Sequence, residues 1–364
     1  MTDLLRGMVE GMLSGALPGM HINAIVGSIS DPVAVVSAYS AFVLFSFIPP
    51  VYLYSMNTDV GAAMLPSQRM ALQGRGGEAV LLSVSGAMLA FLLFAPLLLS
   101  GLVDPLFIFF SSEYVALSVV LLTIAVLFAQ QKKRLPALFI FLLTGLLGIF
   151  SMRLPNALMP MLSGFFGLPA LLQRGSEIEI PQSEEGESRR ALPFLISSLL
   201  GLLSASVKAV TPGTISVLLY VGLRTDRERM LSMGALAGAN AIVTIGNFYA
   251  TGSLRSGPAV QLARIGLSIP QSTALFAFLL SALLSCAVLL AVSGTLNRMY
   301  HAINRWRVIF VALLLMLILT FSGIGGILLF VVSSTIGVLT VRLKIRRINC
   351  MGCIVIPSLV GFLW

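Results

Sequence analysis

Long apolar runs, each separated from the next by a few polar or glycine-rich residues, fill this chain almost from end to end. They fall near residues 33–54, 79–101, 114–130, 136–152 and 157–172, and again near 230–249, 270–293, 308–321, 323–342 and 349–364. Stretches such as 115–128 and 308–321 are apolar on nearly every side, as lipid-buried helices are. The strands of a membrane barrel would instead alternate with period two. Several runs fall short of the ~20 residues that cross a bilayer without distortion. The pattern predicts an all-α, polytopic membrane protein.

A Pro-Gly break precedes each set of runs, inside an otherwise apolar stretch. The first reads Leu17-Pro18-Gly19-Met20-His21-Ile22-Asn23 and the second Thr211-Pro212-Gly213-Thr214-Ile215-Ser216. Proline removes a backbone donor and clashes with the preceding turn, while glycine permits the turn, so a helix stops and restarts there. In lipid the freed backbone groups are tolerated only where protein, water or a bound solute meets them. Broken helices at matching places in two halves are the sequence mark of a transporter site.

Between the two sets lies the only long polar and acidic stretch, residues 173–192, which reads as a solvated linker. The chain therefore divides into a first transmembrane repeat (1–172), the linker, and a second repeat (193–364). Three anchors recur in order at an offset of roughly 190 residues. Pro18-Gly19 aligns with Pro212-Gly213, Ser67 and Arg75 with Ser256 and Arg264, and Gly164 and Pro169 with Gly352 and Pro357. Gly148 and Arg153 stand opposite Gly337 and Arg342 in the same way.

Loop charge predicts how the copies are oriented. The basic run Gln131-Lys132-Lys133-Arg134 matches an uncharged loop near Ser322-Gly323, whereas Arg298, Arg305 and Arg307 match a stretch with Asp104 and Glu113. The 224–229 segment, with Arg224, Arg227 and Arg229, stands against uncharged Gly27 to Ser30. If basic loops are cytoplasmic, matching loops face opposite sides. The expected architecture is two inverted-topology repeats, each with a re-entrant Pro-Gly hairpin and about five transmembrane helices. A parallel repeat of six crossings conflicts with those loop charges.

Composition narrows the function classes. Of the 364 residues 57% are hydrophobic and 10% charged, at a mean hydropathy of +0.99, against roughly 25% charged residues in soluble domains. The formal charge of +9 sits in short clusters between apolar runs, which suits positive-inside topology and not nucleic acid. Three cysteines make no disulfide framework, and Cys350-x-x-Cys353 lacks the four ligands of a structural zinc site. No metal site and no cofactor are expected beyond a coupling Na⁺ or H⁺. The start lacks the basic region and cleavage site of a signal peptide, so a multi-pass protein of the cell membrane is expected. There is no Walker loop, no GxSxG and no acid pair with a histidine base, so ATP-driven transport and hydrolysis are not indicated and the chain is read as no enzyme.

The candidate chemistry lies at the breaks. A half-helix starting at Gly19 or Gly213 offers unpaired N–H groups and a positive dipole end, which can hold an anion without a buried lysine. His21 and Asn23 add polar atoms to the first site, and Thr211, Thr214 and Ser216 to the second. The alternative is a kinked helix whose hydroxyls bond back to their own turn. His21 either carries a coupling proton, as the side chain type that changes charge near neutrality, or sits at an interface near a hairpin tip. Lys208 either attracts the anion or snorkels. A second polar pair sets Ser67 and Arg69 against Arg255 and Ser256, where a guanidinium could grip a carboxylate or phosphate in two-pronged fashion or simply set topology. Asn240 and Asn247, on one span with Gly238 and Gly246, are candidates to line the pathway and need partners.

The order of a PG break near the start, PSQRMALQGRGGEAV after the first long helix, SGFFGLPALL near the half and TPGT opening the second half resembles the tripartite tricarboxylate transporter TctA family, most of all its compact archaeal branch. The resemblance covers nearly the whole chain. It implies a permease that imports citrate-like carboxylates on an ion gradient, with a small membrane subunit and a solute-binding protein as accessory partners. The expected partners are thus a small organic anion or lipid phosphate, the bilayer, those accessory subunits and a second copy of the chain in a homodimer, with no nucleic acid. The substrate-binding set is Pro18, Gly19, His21, Asn23, Ser67, Arg69, Thr211, Pro212, Gly213, Thr214, Ser216, Asn240, Asn247, Arg255 and Ser256. The competing reading is a polyprenyl-phosphate translocase, whose arginine-lined cavity would open sideways to lipid; an intramembrane enzyme or a scaffold stands behind it.

Overall fold

The computed structural model describes residues 1–17, 20–52, 64–110, 121, 133–151, 153–154, 157–169, 191–207, 212–219, 223, 225–266, 269–303, 307–345 and 347–363. Every element among them is helical. The first half holds α1 (Thr2–Ala16), α2 (Ile22–Ile25) with a 3₁₀ turn (Val26–Ser28), α3 (Pro32–Phe45), α4 (Ile48–Tyr52), α5 (Met64–Leu72), α6 (Gly76–Leu99), α7 (Asp104–Phe110), α8 (Arg134–Ser151) and α9 (Leu158–Leu162) with a π turn (Ser163–Gly167). The second holds α10 (Ala191–Ser206), α11 (Pro212–Leu219), α12 (Asp226–Thr251), α13 (Gly257–Ile265), α14 (Gln271–Ile303), α15 (Arg307–Arg342), a 3₁₀ turn (Arg347–Met351) and α16 (Gly352–Leu363). Gly323, at φ 64° and ψ −164°, breaks α15 in a region of backbone space open essentially to glycine alone. The apolar runs of the sequence therefore become helices where the structure describes them; the 114–130 run lies outside the described residues, save Leu121.

Six described helices are long and apolar enough to cross a membrane: Pro32–Tyr52, Gly76–Leu99, Arg134–Ser151, Asp226–Thr251, Gln271–Thr295 and Leu314–Arg342. The chain is a multi-pass membrane protein. Two of these spans, Pro32–Tyr52 and Asp226–Thr251, are 94% buried by the rest of the protein, while the others are at most 50% buried and so offer apolar flanks to lipid. Asp226–Thr251 is also the least apolar of the six. A polar helix at the centre of a membrane protein must satisfy its groups internally, and this one is built for that. Thr225 and Glu228 form a reciprocal cap at its start, and Gly252 closes it at φ 72°.

Small residues let helices approach at backbone distance. Gly7, Gly11 and Gly15 of α1 lie against Ala34, Ala38 and Phe42 of α3 in rising order, so the two helices run parallel and in register. In the second half Gly201 of α10 lies against Leu236 and Ala239, Ser204 bonds to Asn240, and Ala205 accepts from Asn247. The order again rises, and α10 runs parallel to α12. α6 and α12 are likewise parallel: Gly86 meets Leu231, Gly234 meets Ser83, Gly238 meets Ala87 and Gly246 meets Leu98. Added side chains at these glycines would run into carbonyls or side chains of the facing helix. For Gly238 and Gly246 close packing is therefore what the structure explains.

Contacts cross between the halves at the tail as well. α8 packs on α16, and α15 packs on α9 and its π turn. Gly148 meets Cys353 and Gly352 meets Phe141; Gly337 meets Phe165 and Gly164 meets Phe330. Thr144 Oγ1 donates to Phe141 O at 3.0 Å and reaches Asn349 O at 3.5 Å. Ser333 Oγ makes the same bonds to Phe330 O at 3.1 Å and Pro160 O at 3.2 Å. One constant step along the sequence relates each of these three residues to its counterpart.

Candidate functional site

The first Pro-Gly pair, Pro18-Gly19, and Thr211 and Lys208 beside the second lie outside the described residues. Around them the local structure is clear. α1 ends at Ala16, and His21 caps α2, its Nδ1 accepting the Asn23 N–H at 3.2 Å. The His21 ring lies 5.1 Å from the Phe42 ring. Pro212, Gly213 and Thr214 open α11, proline standing at the helix start where its missing N–H is not needed. Pro212 and Ser216 are buried.

Sequence-distant residues meet at two junctions. At the first, α5 reaches the start of α12. Arg69 grips the Asp226 carboxylate with two nitrogens, Nε at 2.9 Å. Arg229 shares Asp226 at 3.1 Å and donates to Leu223 O at 3.0 Å. Beside them Glu78 binds Arg75 at 2.8 Å and Arg227 at 2.7 Å. The Arg69 fork thus holds a carboxylate of the protein itself. Ser67 lies buried and donates to Pro50 O at 3.2 Å.

At the second junction, α13 reaches α2 and the start of α3. Asn23 Oδ1 accepts the Gly257 N–H at 3.0 Å, and Gln261 Nε2 donates to Ile29 O at 2.7 Å. Ser256 caps α13, accepting the Ala259 N–H, with Pro258 in the first turn. Arg255 precedes this cap, and Tyr39 of α3 is its electrostatic neighbour; burial draws the guanidinium down to about 10, opposed by the tyrosine. It stays charged at neutral pH. His21, Asn23, Arg255 and Ser256 are therefore grouped here, from both halves.

Asn240 and Asn247 both find partners on α10. Asn240 Oδ1 accepts from Ser204 Oγ at 3.0 Å; Asn247 Nδ2 donates to Ala205 O at 3.1 Å and its Oδ1 accepts from Thr251 at 2.8 Å. Their surroundings differ. Asn247 is 3% exposed, whereas Asn240 is the one partly accessible residue between Met230 and Phe248. Asn240 is thus a partly accessible polar group midway along one of the two enclosed spans.

Several of these residues escaped sequence reading. Asp226, Gln261, Ser204 and Tyr39 carry no local motif, and their importance comes from what the other half brings to them. One signal was available. The tetrapeptide Ala90-Phe91-Leu92-Leu93 recurs as Ala277-Phe278-Leu279-Leu280, and the two phenylalanines meet edge to face at 4.8 Å and 88°.

No solved structure matches the chain. An uncharacterized protein of Methanocaldococcus jannaschii is 23% identical over 389 aligned residues, which cover 99% of this chain and 98% of that protein. The model of the tripartite tricarboxylate transporter TctA family matches residues 3–352. That match runs through both glycine-bearing arms, both enclosed spans and both junctions, and the chain belongs to the tripartite tricarboxylate transporter TctA family.

Proposed function

We propose that this chain is a permease that moves an organic anion of the carboxylate class across the cell membrane by alternating access, driven by an ion gradient. The observation that carries the reading is the pair of glycine-bearing arms, each parallel to its enclosed span and each stopping short of that span's end. α1 starts level with α3 and ends at Ala16, just beyond the level of Phe42, while the span continues to Tyr52. That arrangement supports a return of the chain between α1 and α3, as in a re-entrant hairpin. α10 ends at Ser206, level with Asn240 to Asn247, which supports a second return between α10 and α12.

The junctions support an inverted relation between the repeats 1–172 and 193–364, joined by the linker 173–192. The helix that follows α12 touches the start of α3, and the helix that follows α3 and α4 touches the start of α12. The two enclosed spans then run in opposite directions. The mirrored tail contacts of Thr144 and Ser333 favour the same relation, with the Phe91–Phe278 contact on the pseudo-two-fold axis. Alternating access by inverted repeats places the solute where the broken helices meet. On this reading Pro18 and Pro212 open the breaks, Gly19, Gly213 and Thr214 present backbone donors, Arg255 supplies the positive charge, and Asn240 with Ser204 lines the approach. A small membrane subunit and a solute-binding protein would deliver the anion.

Uptake into reconstituted vesicles tests the reading with radiolabelled citrate, a dicarboxylate and a fluorescent polyprenyl phosphate. Gradient-dependent uptake of a carboxylate is expected. Gly213→Leu should abolish it, because a bulky side chain at the half-helix start blocks close approach of the anion. Thr214→Val should weaken apparent affinity several-fold, about 1 kcal/mol for one hydroxyl, and Lys208→Gln should do less. Transfer of the lipid phosphate with no carboxylate uptake would replace this reading by the lipid-carrier one.

A further inference from the structure

The turn after the first Pro-Gly break has a feature that a merely structural cap does not need. Serine, threonine, aspartate and asparagine are the usual helix N-caps, and three of the caps in this fold are of that kind: Asp31, Thr225 and Ser256. α2 instead uses an imidazole. An N–H can donate to Nδ1 only while that nitrogen carries no proton. The residue whose N–H is so held is Asn23, and Asn23 Oδ1 in turn accepts the Gly257 N–H of the other half. The fit there is close: a Cβ on Gly257 would stand 2.5 Å from Asn23 Oδ1. His21 is partly exposed.

We infer that His21 is the proton-binding residue of the transport cycle: unprotonated, it caps the turn that holds Asn23 against Gly257, and a proton taken from water onto Nδ1 releases that hold and loosens the second junction. The inference rests on the permease reading for its role in transport, and on the geometry alone for the loosening itself. The sign follows from the cap. The acceptor form is the neutral imidazole, so the contact holds while Nδ1 is unprotonated and is lost when Nδ1 takes a proton, which lower pH favours.

The ionisable groups on the elements packed against this turn are Asp3, Arg6 and Glu10 on α1, Asp31 and Tyr39 at the start of and within α3, and Arg255 and Arg264 before and within α13. Two of the acids are already engaged. Glu10 binds Arg6 at 2.9 Å, and Asp31 accepts the Ala34 N–H at 2.9 Å. The imidazole is the one of these groups whose type changes charge between about pH 5 and pH 8.

Val26, 2% exposed on the 3₁₀ turn that packs on α13, is the reporter position. Val26→Cys protein in vesicles, without carboxylate, is labelled by a maleimide at pH 5.5 and pH 8, and each rate is divided by that of the same protein unfolded in SDS at the same pH. The unsubstituted protein is the blank; Cys350 and Cys353 are fully buried. The normalised rate should be about fivefold higher at pH 5.5. His21→Asn, which caps at both pH values, should hold it low throughout, while Gly257→Ala, whose methyl excludes Asn23, should hold it high throughout. A pH-independent rate in Val26→Cys alone, or a step that persists with His21→Asn, overturns the inference. The two readings fail separately: a labelling step without carboxylate uptake at any pH sinks the permease reading, and uptake without a labelling step sinks the role of His21.

Discussion

The two junctions between the halves have the same backbone plan and opposite chemistry. In each, a short polar helix from one half docks at the start of the other half's enclosed span. The first is ionic, with Arg69, Asp226 and Arg229 in one cluster and Arg75, Glu78 and Arg227 in the next. The second is held by neutral hydrogen bonds, Asn23 to Gly257 and Gln261 to Ile29. The difference teaches where each is vulnerable. An enclosed ion cluster is stable while complete and fragile when one member is lost, because the partner charge remains out of water. A neutral junction loses one bond at a time.

Removing Asp226 should have the largest effect. Its side chain is 9% exposed and those of Arg69 and Arg229 are 19% exposed, so Asp226→Ala leaves two half-enclosed guanidinium groups facing each other. A loss of about 3 kcal/mol is expected, read as a fall in the thermal unfolding midpoint in detergent. Gln261→Leu should cost about 2 kcal/mol, since it leaves the buried Ile29 carbonyl without its partner. If the two substitutions destabilise equally, the contrast between the junctions is only one of appearance.

Asn23→Ala should come next, at about 1 kcal/mol, because Gly257 N–H lies near the surface and water can replace the lost acceptor. Arg227→Gln should have the smallest effect, within about 0.5 kcal/mol, because Arg227 is 49% exposed and Glu78 33%. Salt sharpens the comparison further. Raising ionic strength should erase the Arg227→Gln difference and leave Asn23→Ala unchanged, since screening acts on exposed charges and not on neutral bonds. A salt-sensitive Asn23→Ala would mean that the second junction is not held by its neutral bonds alone.

Much of the frame was legible in the sequence because lipid imposes a simple rule. A run of apolar residues must be a helix there, so the runs at 33–54, 79–101 and 230–249 gave their helices nearly residue for residue. Caps are equally local, though the sequence reading did not name them: Asp31 before Pro32, Thr225 three residues before Glu228, and Ser256 before Gly257-Pro258. Roles across distance were harder. Ser67 and Ser256 were expected to correspond, yet one bonds to Pro50 O and the other caps a helix. The guanidinium of Arg69 suits any carboxylate, and nothing near it in sequence says that Asp226 is the one it meets. The two asparagines called for partners, but Ser204 and Ala205 are supplied by a helix that becomes their neighbour only in the folded chain.

By itself the sequence determined the solvent and the helical class, because each depends on residue type and spacing within a single segment. Tertiary structure decided which span is enclosed, which polar groups are spent on the protein and which remain accessible. Asn240 and Asn247 stand two turns apart on one helix with the same side chain. Only the packing of α10, which covers one and leaves the other partly open, separates a structural amide from a candidate contact for the solute.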